Sequence, residues 1–288
     1  MFKDKFNMSI RLAQHAYGKH RVRFSKIRRD PDNPSLHSLI EATVGVILEG
    51  DMDEAYLKGD NRPVVATDTC KNTVYVLAKD DPIETIESFA VTLAEHFLSQ
   101  YDHLDAANVT IEQKQWQRLL DCPHAFTGND AAISTTCAVA RREEPTSIGA
   151  GVDQFVIAKT TESGFADFHR DEFRTLPDTD DRILATSVTA NWEYGQIPKS
   201  YEDAREAIMS AMTNRFIDHY SRSVQETLML MGRAAIEACD EVQAIELTLP
   251  NKHHILFSLE PFGRENNNDV FIVTDEPYGM ISAKIVRE

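Results

Sequence analysis

The chain has no long apolar run. None of its 288 residues sits in a stretch approaching the ~18–20 consecutive apolar residues that cross a bilayer as a helix, so no membrane partner is expected. Met1-Phe2-Lys3-Asp4-Lys5 leads into mixed polar sequence without an apolar signal core. The terminal Ile285-Val286-Arg287-Glu288 is not a Ser-Lys-Leu peroxisomal address. Together these point to a cytoplasmic protein. Cysteine is scarce. Cys70, Cys122, Cys137 and Cys239 have spacings that fit neither a disulfide framework nor a zinc knuckle, so free thiols in a reducing compartment are expected. Cys122-Pro123-His124 offers two ligand types but no partner motif, and no metal is expected. Basic charge is also short, with 30 Lys and Arg against 46 Asp and Glu and a net charge of −16. Phosphate contacts need a basic surface, so no nucleic-acid partner is expected. The global field opposes an anionic substrate, and any anion must be gripped by local donors.

What is present reads as a soluble globular chain, 42% hydrophobic and 26% charged, long enough for two domains. Alternation predicts strands over residues 22–27 and 40–48, and residues 67–78 predict a short helix. Asp81-Pro82 predicts a second helix start, with Ile83, Ile86, Phe89, Ala90, Leu93, Ala94, Phe97 and Leu98 forming one apolar face. Strands return over 108–116 and 132–141. Glu143-Glu144-Pro145-Thr146-Ser147 reads as a domain boundary, giving units 1–147 and 148–288. The second unit predicts strands over 155–161 and 184–193, a helical region over 201–239, and strands over 244–249, 254–259, 270–273 and 281–286. Strand, strand, helix, helix, strand, strand thus occurs twice, a repeat of architecture rather than of sequence. Antiparallel strands with helices on one face imply α+β. Open strand edges in each unit predict oligomerisation.

Several polar clusters stand out against this frame: Tyr17-Gly18-Lys19, Val65-Ala66-Thr67-Asp68, Leu249-Pro250-Asn251-Lys252-His253, and a run from Lys159 to Arg182. Each has a plain reading. Lys19 fits a solvated charge, Thr67 a helix N-cap, His253 a satisfied core histidine and Phe165 a core aromatic. Arg182, among Asp178, Asp180 and Asp181, fits either a surface ion pair or a guanidinium fork aimed at a planar anion. Ser223-Val224-Gln225-Glu226 is a capping box that starts a helix. First-turn N–H groups there lack intrahelical partners, and the Gln225 amide can both donate and accept.

In order and wording, these clusters resemble the urate oxidase (uricase) family. Lys159-Thr160-Thr161, Ser163, Phe165, Phe168, Phe173, Leu176 and Arg182 carry the resemblance at fixed intervals. Ser223-Val224-Gln225, Asn72 and Gly279-Met280-Ile281 extend it, over residues 17–287 in all. The resemblance implies two tandem tunnelling-fold (T-fold) units whose sheets join across subunits into a β-barrel tunnel. It implies a homotetramer with active sites at subunit interfaces. The reaction implied is oxidation of urate by O2 and water to 5-hydroxyisourate and hydrogen peroxide, with no metal or cofactor. The implied roles follow the matching residues. Phe165 stacks on the purine, Leu176 and Ile281 line the pocket, and Arg182 opposes Val224 and Gln225 across the substrate. Thr67 and Asp68 contact it, and Asn251 positions oxygen or water. Lys19, Thr67 and His253 form a proton relay, with His253 supplied by the neighbouring subunit. A desolvated lysine can accept a proton at neutral pH and a hydroxyl can pass it on. Two alternatives are another T-fold enzyme acting on a pterin or purine, and a non-catalytic purine-binding protein. The first usually needs a zinc site, for which adjacent His253-His254 is poor geometry on a strand.

Overall fold

The computed structural model describes residues 10–128 and 132–288, so the reading of the N-terminal segment 1–5 lies outside the described residues. Strands β1 (Tyr17–Arg29) and β2 (His37–Gly50) lead to helices α1 (Asp53–Lys58), α2 (Thr67–Asp80) and α3 (Ile86–Gln100). Then come β3 (Leu104–Lys114), the small pair β4 (Trp116–Arg118) and β5 (Phe126–Gly128), and β6 (Ile133–Arg141). The second half runs β7 (Ser147–Lys159), β8 (Leu184–Tyr194), α4 (Tyr201–Ile217), α5 (Val224–Ala238), β9 (Val242–Leu256) and β10 (Phe271–Val286). One antiparallel eight-stranded sheet has the order β1-β2-β3-β6-β7-β8-β9-β10. The class is α+β, as the pattern predicts.

Alternation explains the layering. On β2, Ile40, Ala42, Val44, Val46 and Leu48 are buried, and their cross-strand partners on β3, Ile111, Val109 and Ala107, share that face. Phe89, Leu93 and Phe97 of α3 and Val74 of α2 pack on it to make one core cluster. A second cluster joins Val188, Ala190 and Trp192 of β8 and Ile245, Leu247 and Leu249 of β9 to Ile208 and Met212 of α4 and Leu228 and Met231 of α5. The opposite face carries Asn108, Thr110 and Glu112 of β3 and Asn191 and Glu193 of β8, the polar side of a half-covered antiparallel sheet. The two cores meet where β6 pairs with β7, and the sheet runs unbroken across that seam. There Arg205 of α4 ion-pairs with the buried Glu87 of α3 and donates to the Thr135 carbonyl at 3.1 Å, tying one half to the other.

Several local expectations are corrected. The helix predicted at Asp81-Pro82 begins at Ile86, because the Thr85 hydroxyl accepts the Ser88 N–H at 3.1 Å and caps it. Asp81 instead accepts the Ile83 N–H at 2.6 Å, and Ile83 turns through φ +51°. The helical region 201–239 is two helices, separated at 218–223 by the Ser223 cap. β7 begins at Ser147, well before residue 155, since Gly149 and Gly151 hide its strand pattern. Trp116 leaves β3 for the small β4–β5 pair. β9 continues through Pro250, where a break was expected. Pro250 lies opposite Met280 of β10, while the pairing with β8 skips that point, running from Thr186↔Asn251 to Thr189↔Thr248, so the β8 ladder draws no N–H from the proline. The two last predicted strands are one, β10, with a bulge between Thr274 and Gly279.

Candidate active site

The polar clusters gather into two groups on the helix-covered side of the sheet. The first is built on β1 and the start of α2. Lys19 lies opposite Val46, just before the β1–β2 ladder shifts register and Arg21 turns through φ +59°. Gly18 makes this possible, because a Cβ there would sit 1.8 Å from the Val46 carbonyl oxygen. The Tyr17 hydroxyl accepts the Val65 N–H at 2.7 Å and so fixes the segment that delivers Thr67. Burial pushes the Tyr17 phenol up to about 12.

Thr67 is not the N-cap that its position suggests. It is the first residue of α2, the cap residue is Ala66, and no side chain caps the helix. The exposed Thr67 hydroxyl is therefore not spent on the helix end, and the first-turn N–H groups have no side-chain cap. Asp68 ion-pairs with Lys71 and accepts from the Asn72 amide at 3.0 Å. Those bonds, with a smaller contribution from the nearby Lys19 ammonium, hold its carboxyl below the usual range. The Asp68 carboxylate is thus engaged by its own helix.

The second group is a knot of backbone around Arg182. Its N–H donates to the Ser163 carbonyl at 2.8 Å, the Gly164 N–H to the Ser221 carbonyl at 2.8 Å, and the Ser221 N–H to the Glu162 carbonyl at 2.9 Å. Phe165 pairs with Thr179 in both directions and stacks on Phe168 at 4.6 Å between ring centroids. Gly164 admits this crossing, since a Cβ would lie 2.2 Å from the Tyr220 hydroxyl. Ser221 leads directly into the α5 cap, where the Ser223 hydroxyl accepts the Glu226 N–H at 3.1 Å. The Glu226 carboxylate bonds the Arg222 N–H at 3.0 Å, one residue earlier than in the usual capping box. The knot brings Arg182 and Phe165 to the α5 N-terminus, which presents a buried Val224 and an exposed Gln225.

The Arg182 guanidinium carbon lies 5.3 Å from the Phe165 ring centroid. Burial lowers the Arg182 pKa, partly opposed by Tyr220. Its Nε and Nη2 are buried yet meet no hydrogen-bond partner among the described residues, and neither does the Ser163 or the Thr186 hydroxyl. Buried unpartnered donors are rare, and two on one guanidinium form a fork built for a planar acceptor edge.

β9 completes this group. Asn251 lies opposite Thr186 of β8 and Gly279 of β10, and its amide is 3.5 Å from His253 Nδ1. Ile281 lies opposite Leu249 and packs on the second core. Leu176 is 57% exposed, its carbonyl accepting from Arg174 Nε at 3.0 Å, so within one chain it lines an open side rather than an enclosed pocket. Thr186 is a buried polar residue beside Asn251 that sequence reasoning missed. Its signal was a hydroxyl in step with Leu184, Val188 and Ala190 on an apolar strand face.

The structure does not bring the two groups together. β1 and β9 stand first and seventh in the sheet order. Six strand spacings of ~4.8 Å separate Lys19 from Asn251 and His253 by about 29 Å along the sheet.

Comparison with known proteins bears on this arrangement. The family model for uricase matches residues 15–137 and 148–282. A uricase of Arthrobacter globiformis is 39% identical over 96% of this chain and 90% of its own length. One from Dictyostelium discoideum is 37% identical over 96% and 97%. The crystal structure of the Arthrobacter globiformis uricase superimposes with a TM-score of 0.93, covering 98% of this chain and 96% of that one, at 38% identity. Matched by the family model over most of its length and by full-length relatives in sequence and in structure, the chain belongs to the uricase family.

Proposed function

We propose that the protein oxidises urate with molecular oxygen, in the reaction urate + O2 + H2O → 5-hydroxyisourate + H2O2. The observation that carries this reading is the desolvated Arg182 fork, with Nε and Nη2 unpartnered beside the Phe165 ring and tied through Ser221 to the α5 start that presents Gln225. Urate is a flat anion near neutral pH. Arg182 takes its acceptor edge, Phe165 covers its face, and Gln225 with the Val224 backbone holds the opposite edge, where donors and acceptors alternate. Local donors thereby overcome the −16 net charge.

Removing a further proton makes the purine a better electron donor, and its electrons pass to O2. Lys19 is the base in this reading, the Thr67 hydroxyl relays the proton through water, and His253 shares it. Asn251 holds oxygen or water above the ring, and Ile281 and Leu176 close the apolar side. Thr67 and its neighbour Asp68 contact urate from the α2 start, Asp68 through backbone N–H rather than its engaged carboxylate.

Lys19 and Thr67 lie too far along the sheet from His253 to serve one site within one chain. A second copy must supply the missing group, which supports a homotetramer with active sites at subunit interfaces. In that assembly residues 1–147 and 148–288 act as two T-fold units. The open β1 and β10 edges pair across subunits, and the polar sheet face lines a tunnel. O2 is a co-substrate and no metal or cofactor takes part. The setting is cytoplasmic, with no nucleic-acid or membrane partner.

Metal-stripped protein given urate in an oxygen-electrode cell tests the reading directly. Urate loss with stoichiometric oxygen uptake and peroxide is expected. Folded protein that consumes no oxygen, or does so only after a metal is restored, would overturn it.

A further inference from the structure

Between α4 and α5 lies a buried chain of polar side chains that the proposed chemistry does not use. His219 Nδ1 is 2.6 Å from the Arg215 carbonyl oxygen and its Nε2 is 3.0 Å from Thr227 Oγ1. The Ser221 hydroxyl is 2.7 Å from Thr227 Oγ1, and both hydroxyls lie 3.1 Å from the Ser223 carbonyl oxygen. Ser221 and Thr227 are fully buried.

A carbonyl can only accept, so Nδ1 carries the proton toward Arg215 and a neutral His219 has its lone pair on Nε2. Thr227 then donates to His219, and Ser221 donates to Thr227. Both hydroxyl protons are then committed and the chain has a single direction, from Ser221 to the Arg215 carbonyl. It matters because of what it holds. The Ser221 backbone grips Glu162 and Gly164 on either side of Ser163, whose carbonyl positions Arg182. Both hydroxyls also lie against the carbonyl of Ser223, the cap residue that immediately precedes Val224 and Gln225. Both jaws of the proposed urate clamp therefore depend on one turn, 218–223, and this side-chain network fixes that turn from inside.

We propose that His219 and Thr227 are positioning residues for the urate clamp, and that protonation of His219 loosens the clamp and weakens urate binding. The inference rests on the urate reading above. A proton on Nε2 reverses its bond with Thr227. The Thr227 hydroxyl must then turn its proton to the Ser223 carbonyl at 3.1 Å, adding a second donor beside the Thr227 N–H at 3.2 Å, so the pull on the cap residue ahead of Val224 changes with the charge on His219. The charged groups around the imidazole come from three elements. Lys159 of β7 donates to the His219 carbonyl at 2.6 Å. Arg215 lies on α4, and Glu226, paired with Arg222, lies at the start of α5. Burial lowers the His219 pKa and both cations reinforce that, while the Arg215 carbonyl and Glu226 oppose it. The neutral, single-direction state is thus the resting one, and the clamp is intact above the histidine range and loosens below it.

Anaerobic urate titration by ultraviolet difference, paired with turnover in air at saturating urate, tests this in the assembled enzyme. Thr227→Val should raise the urate Kd ~10-fold while turnover at saturation stays within about twofold, and Thr227→Ser should restore the Kd. His219→Gln keeps a donor and an acceptor but cannot titrate. Acidification from about pH 8 to about pH 5 should weaken its binding less than it weakens wild-type binding. Should Thr227→Val not assemble, the wild-type and His219→Gln profiles decide alone. Equal Kd values for the Val and Ser variants, or a His219→Gln profile that superimposes on wild type, would overturn the network. Wild-type protein that binds no urate would instead overturn the substrate reading and this inference with it.

Discussion

Arg182→Met separates what Arg182 does for the fold from what it does for substrate. The Nε and Nη2 donors meet no hydrogen-bond partner among the described residues, so the fold loses no hydrogen bond from them. The contact it does lose is the guanidinium over Phe165 at 5.3 Å, worth about 0.5–2 kcal/mol. Methionine relieves the desolvation of a buried charge and offsets part of that, so urate-free stability should change by less than ~2 kcal/mol in either direction. Binding should change far more. Two charge-assisted hydrogen bonds at ~1.5–3 kcal/mol each sum to about 3–6 kcal/mol, or roughly 10²–10⁴ in urate affinity. Arg182→Lys keeps the charge without the planar fork, and an intermediate loss of ~10–100-fold is expected. Denaturant unfolding of the urate-free protein and anaerobic urate titration read the two effects separately. An Arg182→Met protein that binds urate within fivefold of wild type would refute the fork. So would one that loses more stability than affinity.

The other predictions concern the first half of the chain and the seam. Lys19→Met should lower turnover by ~10²-fold or more with little change in urate affinity, as expected for a proton acceptor rather than a binding group. Steady-state oxygen uptake checks this, and unchanged turnover would remove Lys19 from the relay. Tyr17 is protonated in the fold up to about pH 12. Because its folded pKa is raised, its contribution to stability is fully present below the ordinary tyrosine value near 10 and is lost as pH rises through about 12. Tyr17→Phe should remove that alkaline step from a stability–pH profile. It should also cost ~1–3 kcal/mol at neutral pH by orphaning the Val65 N–H. Glu87 is 2% exposed and faces Arg205 across the seam. Glu87→Ala should therefore destabilise by ~1.5–3 kcal/mol in chemical denaturation, because the part-buried Arg205 guanidinium loses its counter-charge and keeps only the Thr135 and Gly151 carbonyls.

Local chemistry was enough for a large part of this protein. Alternation along β2, β3 and β8 and the apolar stripe of α3 depend only on the spacing of neighbours in sequence, so the α+β class and most strands could be read directly. The Ser223 cap is equally local, since a hydroxyl and an N–H three residues apart need no outside partner. Where competing local signals met, tertiary packing chose between them. Asp81 bonds the Thr92 hydroxyl of α3 and leaves the cap to Thr85, and Pro250 stays inside β9 opposite Met280 of β10 at a point the β8 ladder skips.

The site divides in the same way. The resemblance to the uricase family marked Lys19, Thr67, Phe165, Arg182, Gln225, Asn251 and His253 as a set, where their own chemistry allowed a plain reading of each, and neither said which of them meet within one chain. Only the folded chain ties Arg182 through Ser163 and Ser221 to the start of α5 and leaves its Nε and Nη2 without a hydrogen-bond partner among the described residues. The fold also engages the Asp68 carboxylate with Lys71 and Asn72, a pairing that depends on where α2 begins. Sheet order sets the distance between Lys19 and His253. Periodicity assigns a residue to a face of its own strand, whereas the place of that strand in the sheet is a long-range choice, settled by which apolar faces bury one another.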